Sequence, residues 1–336
     1  MKLVSFGDLA VFYQNRRHTT EIKTELARLT GELSTGKKSD ISVGNSHDYM
    51  PIIGLERSIA ALTTYETSIA EARLFAETMQ ASLDKIESHA DNLSGALLTA
   101  GNSVNRTMIN AAAADAGTRF KAAVAAFNSK VSDRYAFAGT ATDQPALAPA
   151  QAIIGDLMVA VAGQTTAAGI ETVVDTWFDT PGGSFDTVAY SGSSQRLGPI
   201  RIGEREEVNL DAMATDPEVR EVLKAFAVAA LVDEGVLAGN PTERAALTRR
   251  AGELIVESRD DLVDMRARIG SAEARIADVA MASSAEKSAL ERARADIVSA
   301  DPYQAATALE AHRAQLETIF AVTARLSRLS LTEFLR

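Results

Sequence analysis

From Leu55 onward the apolar positions advance by threes and fours: Leu55, Ile59, Leu62, Ile69, Ala72, Ala76, Met79, Leu83, Ile86, Ala90, Leu93 and Leu97. Glu66 interrupts the series where another apolar residue falls due. Such steps keep one stripe on one side of a helix and turn it toward a partner helix, so the pattern predicts a long helix in a coiled-coil-like stem. A second helix is expected from Val104 to Arg134, rich in the strong helix former alanine. A far arm repeats the rhythm through Leu247, Ala251, Leu254, Ser258, Leu262, Met265, Ile269, Ala272, Ile276, Val279, Ser283, Leu290 and Ile297. Thr242 is its expected N-cap. Gly252 and Gly270 would each weaken it by about 1 kcal/mol relative to alanine, or else permit close helix contact.

The two ends of the chain match one another. Ile22, Leu26, Leu29 and Leu33 step by helical intervals, with Leu3, Val4, Phe6, Leu9 and Phe12 ahead of them. At the far end Asp301-Pro302 should break the helix, because proline disfavours helix at the residue before it. A last helix then runs from Tyr303 to Leu331, with Leu309, Leu316, Ile319 and Leu326 as its stripe and Phe320 beside Ile319. These nine positions, four on the first helix and five on the last, are the candidate partner-helix interface. The stripes can be covered within the chain or by neighbouring subunits, and the pattern alone leaves both open.

Between the arms the punctuation changes. Six of the eight prolines lie from Pro145 to Pro241, and eleven of the 21 glycines from Gly139 to Gly239. Such residues mark turns. Val188–Tyr190, Ile200–Ile202 and Val208–Leu210 read as short strands. Pro217 opens a helix running from Glu218 to Asp233, with Asp216 as its N-cap. The organisation expected is a terminal helix and loop at 1–50, a helical stem at 51–140, a turn-rich domain with short strands at 141–240, a returning stem helix at 241–300 and a C-terminal helix at 301–336. The fold class is therefore mainly α with a smaller α+β insert. A middle without heptads should also be separable from assembly, so that a short linker in place of Leu147 to Pro199 leaves export intact.

Composition narrows the function classes. A net charge of -11 opposes binding to nucleic acid, which needs clustered Lys and Arg, and to an anionic membrane surface. The chain has no cysteine, which excludes disulfides and thiolate metal sites. Met1 to Tyr13 lacks the apolar core and cleavage site of a secretory signal. The longest strongly apolar run, Ala225 to Val232, is too short to span a bilayer. Read alone, these features suit a soluble protein. His18, His47, His89 and His312 have no metal-type spacing. Leu33-Ser34-Thr35-Gly36-Lys37-Lys38 lacks the upstream glycine of a phosphate loop, and Gly36 reads as a helix C-terminal cap. No catalytic residue, metal or cofactor is expected.

Several segments resemble one family. Leu29 to Lys38 is similar to the end of the first helix in flagellins and the related hook–filament junction proteins. Arg134-Tyr135-Ala136-Phe137-Ala138-Gly139-Thr140-Ala141-Thr142-Asp143-Gln144-Pro145 resembles the stretch by which the junction proteins leave their helical stem, where flagellins usually differ. Ala267 to Ile276, with Arg268, Gly270 and Arg275, is similar to the returning helix of both. Ala321 to Leu335 resembles the junction-protein tail. After Lys38 the chain departs from the family's acidic loop and reads Ser39-Asp40-Ile41-Ser42-Val43-Gly44-Asn45. The resemblance covers both arms, about two-thirds of the chain.

It implies a long antiparallel helical coiled-coil stem formed by the N- and C-terminal arms, with a central outward domain. It implies a structural, non-enzymatic part of the bacterial flagellum: a hook-associated adaptor joining hook to filament, arranged as a homo-oligomeric ring. The implied partners are a neighbouring hook-associated protein, flagellin and a flagellar export chaperone. The implied location is extracellular, reached through flagellar export without a cleaved signal peptide. Flagellin itself is the nearest alternative. An all-helical enzyme is the alternative of a different class, and would need a pocket of convergent carboxylates, histidines or arginines.

Overall fold

The computed structural model describes the backbone of residues 6–39 and 50–334 and the side chains of residue 10 and of 13–39 and 50–325. The chain divides by internal contacts into two units. One comprises 1–61 with 285–336, the other Leu62–Ser284. Both divisions fall inside long helices, α2 (Met50–Ser103) and α8 (Arg259–Val298).

In the second unit the heptad reading of the long stripe holds. Every α2 stripe position from Ile69 to Leu97 is buried. So are Leu262, Met265, Ile269, Ala272 and Ile276 on α8. The two helices run antiparallel, since Gln80 meets Arg266 while Asp91 meets Arg259. The returning arm is not one helix, however. It breaks at Ser258 into α7 (Pro241–Glu257) and α8. The N-cap of α7 is Asn240 rather than Thr242: the Asn240 side chain accepts from Glu243 N, and Pro241 takes the first helical position, where a missing N–H costs nothing. Gly252 does permit close contact. A Cβ there would lie 2.9 Å from Leu98 Cγ. At Gly270 the nearest atom is 3.5 Å away, so no such need exists.

The helix expected over 104–134 ends early. It is α3 (Arg106–Phe127), capped by Asn105, whose side chain accepts from Thr107 N and Met108 N. Asn128 stops it by exchanging hydrogen bonds with the backbone of Leu147, 2.8 Å in each direction. A two-residue hairpin follows. Strands β1 (Lys130–Val131) and β2 (Arg134–Tyr135) are joined by Ser132 and Asp133, both at positive φ, as a hairpin with the twist of its flanking strands requires.

The middle region holds more helix than its punctuation suggests. It contains α4 (Ala150–Ala160), α5 (Ala167–Asp179) and α6 (Pro217–Asp233). The strand expected at 188–190 is instead the end of a π-helical turn, Phe185–Ala189, after which Tyr190 makes a single antiparallel bridge to Leu147. Apolar alternation over three residues cannot separate these outcomes. The other two strands form: β3 (Ile200–Arg201) pairs antiparallel with β4 (Glu207–Val208).

Helix α6 lies at the centre of this unit. It is buried from Val219 to Val232 apart from short polar contacts, packed on α3 and α7 and flanked by α4 and α5. A helix covered on all sides must be apolar on all sides, which accounts for the run Ala225–Val232. Its one buried cation, Lys224, lies between Glu221, Asp179 and Asp175 at 2.9, 3.0 and 3.3 Å. Burial alone would lower its pKa, but the carboxylates outweigh that and the net shift is upward.

Residues 141–240 do not carry a separate core. Leu147, Ile153, Val174, Trp177 and Phe178 belong to one apolar cluster with residues of α2, α3, α7 and α8. Removal of 147–199 would therefore bare buried residues of α3 and α6.

Candidate assembly surface

The terminal helices pair with one another. Helix α1 (Phe6–Thr35) and α9 (Pro302–Phe334) run antiparallel, with Leu29 against Ala305 and Leu309, and His18 reaching Gln315 at 3.2 Å. Leu26 and Ala308 border this small core. Of the nine candidate interface positions, Ile22, Leu29 and Leu309 are buried. Leu26, Leu316 and Ile319 are half-buried. Leu33 and Phe320 are exposed, at 37% and 51%. Lys23 stands 6.0 Å over the Phe320 ring. The side chain of Leu326 lies outside the described residues, as do those of Leu3, Val4, Phe6, Leu9 and Phe12. The stripes are therefore partly consumed within the chain, and the remainder faces outward together with Val322 and Tyr303, the latter 80% exposed.

A clasp fixes the register of this pair. Helix α1 ends at Gly36, whose φ of +68° suits glycine and whose N–H donates to Glu32 O at 2.8 Å. The next residues bridge the α8–α9 joint. Lys37 pairs with Ser299, Lys38 N donates to Val298 O at 2.9 Å, and Ala300 N donates to Gly36 O at 3.0 Å. Asp301 caps α9 by accepting from Tyr303 N and Gln304 N. Glu32, nearly buried, accepts from Ser39 N at 2.8 Å and from Arg28 at 2.5 Å. Arg28 also grips Glu25, and that hydrogen bond holds the Glu25 carboxyl below its ordinary pKa. The sequence pattern marked Gly36 as a stop. It carried no sign that Arg28, Glu32 and Ser39 form a network, because that depends on where the chain turns after the helix. The segment 40–49, including His47 and most of the loop that departs from the family, lies outside the described residues.

In the second unit, the segment 134–145 is threaded through three neighbours. Tyr135 N donates to Thr142 O, Ser193 N to Ala138 O, Thr140 N to Gln195 O and Ala214 N to Phe137 O, at 2.8–3.0 Å. Phe137 packs edge-on to Phe127 with ring centroids 5.3 Å apart. Gly139 sits at φ +61°, and a Cβ there would lie 2.4 Å from Gln195 O. Beside it the Tyr190 hydroxyl donates to Ser193 O at 2.7 Å, and burial, then the nearby Asp216, pushes its pKa up to about 12. Asp216 is the N-cap of α6 by position, but its carboxylate turns to Arg196 and accepts from Met213 N instead of capping the helix.

The returning-helix arginines tie α8 to the middle region. Arg268 donates to Glu218 and Arg275 to Glu206, each at 2.7 Å. They line a cleft of about 770 Å³ with Arg196, Asp216 and Met265. All three arginines are engaged by carboxylates: Arg196 by Asp216, Arg268 by Glu218 and Arg275 by Glu206. His18 and His312 lie in the first unit and His89 on α2. Burial, then the adjacent Arg119, lowers the His89 pKa. Among the described residues no three His, Asp or Glu converge to hold a metal ion, and no helix is long and apolar enough to cross a membrane.

Residues 253–335, which carry the end of α7 and all of α8 and α9, match the family model for the bacterial flagellin C-terminal helical region. The fold is shared with two solved structures. One is a Vibrio parahaemolyticus protein assigned as flagellar hook-associated: 13% identity, 75% of this chain and 99% of that chain covered, TM-score 0.50. The other is Bacillus cereus FlgL: 14% identity, 71% and 97% covered, TM-score 0.51. No curated protein matches the sequence. At these identities the likeness establishes the fold, mainly α with small strand pairs.

Proposed function

We propose that this chain is a structural component of the bacterial flagellum, a hook-associated adaptor that joins hook to filament through helix–helix packing of its terminal arms. The observation that carries this reading is the placement of the flagellin C-terminal helical region on α8 and α9, with α9 paired antiparallel to α1, in a fold shared with proteins of the hook-associated class. The partly unfilled stripes on α1 and α9 support packing against further helices. The partners of this reading are a neighbouring hook-associated protein, flagellin, further copies of the chain in a ring, and an export chaperone for the terminal helices. Its location is the extracellular flagellum, reached by flagellar export.

Flagellin is the second reading, favoured by the match of the C-terminal region to a flagellin model. The two differ in abundance, because a junction ring needs few copies and a filament needs thousands. Quantitative mass spectrometry of sheared flagella, combined with deletion of the gene, separates them. The adaptor reading expects a small, fixed number of copies per flagellum and, on deletion, hooks bare of filament. A copy number that scales with filament length assigns the chain to the filament. Flagella that are normal and lack the chain overturn both.

A further inference from the structure

We propose that the open edge of β4 takes up an extended, basic segment of another protein as an added strand, in the cleft between β4 and α8. The surface belongs to the Leu62–Ser284 unit and does not depend on the flagellar role. Ile202 N donates to Glu206 O at 2.9 Å, and the register pairs Ile200 with Val208. Along an antiparallel pair, positions that exchange hydrogen bonds alternate with positions that do not. The N–H and C=O of Val208 therefore turn to β3, and those of Glu207 and Asn209 turn away from it. Among the described residues neither Glu207 nor Asn209 makes another backbone hydrogen bond. A strand edge left open in this way is a template for a further chain.

The space beside this edge suits a strand. Residues 207–212 form one wall of the cleft of about 770 Å³, and Met265, Ile269, Ser271 and Ala272 of α8 line the other. The two walls are tied at both ends, Glu206 to Arg275 ahead of β4 and Glu218 to Arg268 beyond the segment. Between the ties, about six residues of extended chain run for about 20 Å, which gives an added strand of similar length its room. Val208, Leu210 and Ala212 are buried, whereas Glu207 and Asn209 are exposed. That alternation pins the segment to the core and leaves its edge accessible.

Charge selects the occupant. The cations of the cleft, Arg196, Arg268 and Arg275, are bound to Asp216, Glu218 and Glu206, and Arg196 also faces Asp211. Among the described residues Glu207 has no ion pair. Five carboxylates thus meet three cations, and the surplus is negative. At the Glu218 end, burial and then Glu218, Asp264 and Asp260 hold the Asp261 carboxyl above its ordinary pKa. A strand that sets a lysine or arginine opposite Glu207 gains a cross-strand pair of opposite charge. A second copy of the same edge does not. Antiparallel pairing centred on Asn209 would set Glu207 of one copy opposite Asp211 of the other, and like charges directly opposite destabilise a strand pair.

The probe is a short peptide alternating lysine and valine, blocked at both ends and titrated into the full chain by calorimetry, with hydrogen exchange measured on the complex. Binding should slow amide exchange at Glu207 and Asn209. The same peptide with every amide N-methylated keeps its charge and loses its donors. A glutamate–valine peptide keeps the donors and reverses the charge. Each should bind at least about tenfold more weakly, as expected when pairing groups are lost or like charges are juxtaposed. Asn209→Pro removes an N–H that no bond of the fold uses, and proline is tolerated on an open edge. Its melting should match that of the parent, and its affinity for the lysine peptide should fall by a similar factor. Glu207→Lys should shift the preference from the lysine peptide to the glutamate peptide. No binding at millimolar peptide, exchange protection confined to other parts of the chain, or affinity indifferent to N-methylation overturns the proposal. Self-association in sedimentation that Asn209→Pro abolishes would make a second copy the occupant and overturn it as well.

Discussion

At the scale of single residues, Gly139 shows how one position can control a segment. The stretch 134–145 is held by backbone bonds to 193–195 and 214, and it passes Gln195 O so closely that no side chain fits. Gly139→Ala therefore adds the cost of a left-handed φ to a clash with backbone oxygen. The left-handed conformation alone costs about 1–2 kcal/mol for an L-residue, and strain at such positions runs to about 1–3 kcal/mol. The expected outcome is a fall of at least about 4 °C in the melting of the Leu62–Ser284 unit, since about 1 kcal/mol moves a domain of this size by 2–4 °C. Differential scanning calorimetry reads it directly. An unchanged transition would mean that the 193–195 loop yields and that the threading is not tight.

At the scale of elements, the terminal helix pair separates two roles that one apolar stripe had combined. Leu309 is buried against Leu29 within the chain, whereas Phe320, about three turns further along α9, is 51% exposed. Leu309→Asp places a charge in that small core, where an unpaired charge is strongly disfavoured. It should loosen the α1–α9 pair in the monomer, seen as faster amide exchange over residues 18–35 and 302–316. Phe320→Asp should leave monomer exchange unchanged in the pair and yet prevent filament growth on hooks, with the variant still detected in the culture medium. Normal filaments on Phe320→Asp cells would show that this face meets no partner helix. The clasp at Gly36 and Lys38 should keep the helix ends joined in both variants, because its bonds are to backbone.

At the scale of the whole molecule, the described residues of the two units differ in the apolar clusters they form. The Leu62–Ser284 unit holds one continuous cluster that reaches from Ile69 to Ile276. Among the described residues, the other has the short cluster of Leu29, Ala305 and Leu309 and its borders. Regions with few buried apolar contacts open at lower free energy than the rest. Limited trypsin on a verified monomer should therefore trim the terminal unit first and leave a resistant fragment close to residues 62–284, identifiable by mass spectrometry. Equal survival of peptides from α1 and α9 would show that the terminal pair is as stable as the larger core.

Periodicity and local punctuation determined most of the long helices, although the stripe of the returning arm ran straight through the break at Ser258. The α2 stripe, the break at Asp301-Pro302, the stop at Gly36 and the start of α6 at Pro217 were all legible that way, since each depends on φ restriction or on local hydrogen bonding. Tertiary structure decided the rest. Helix α3 ends at Asn128 because its side chain finds Leu147, nineteen residues further on. The middle region, which reads as a separable insert from its prolines and glycines, shares its core with the helices on either side, because α6 can be covered only from several directions at once. Of the interface stripe, which leucines are spent inside the chain and which remain outward depends on how α1 lies against α9, and two helices with similar stripes carry no local signal of the angle at which they meet.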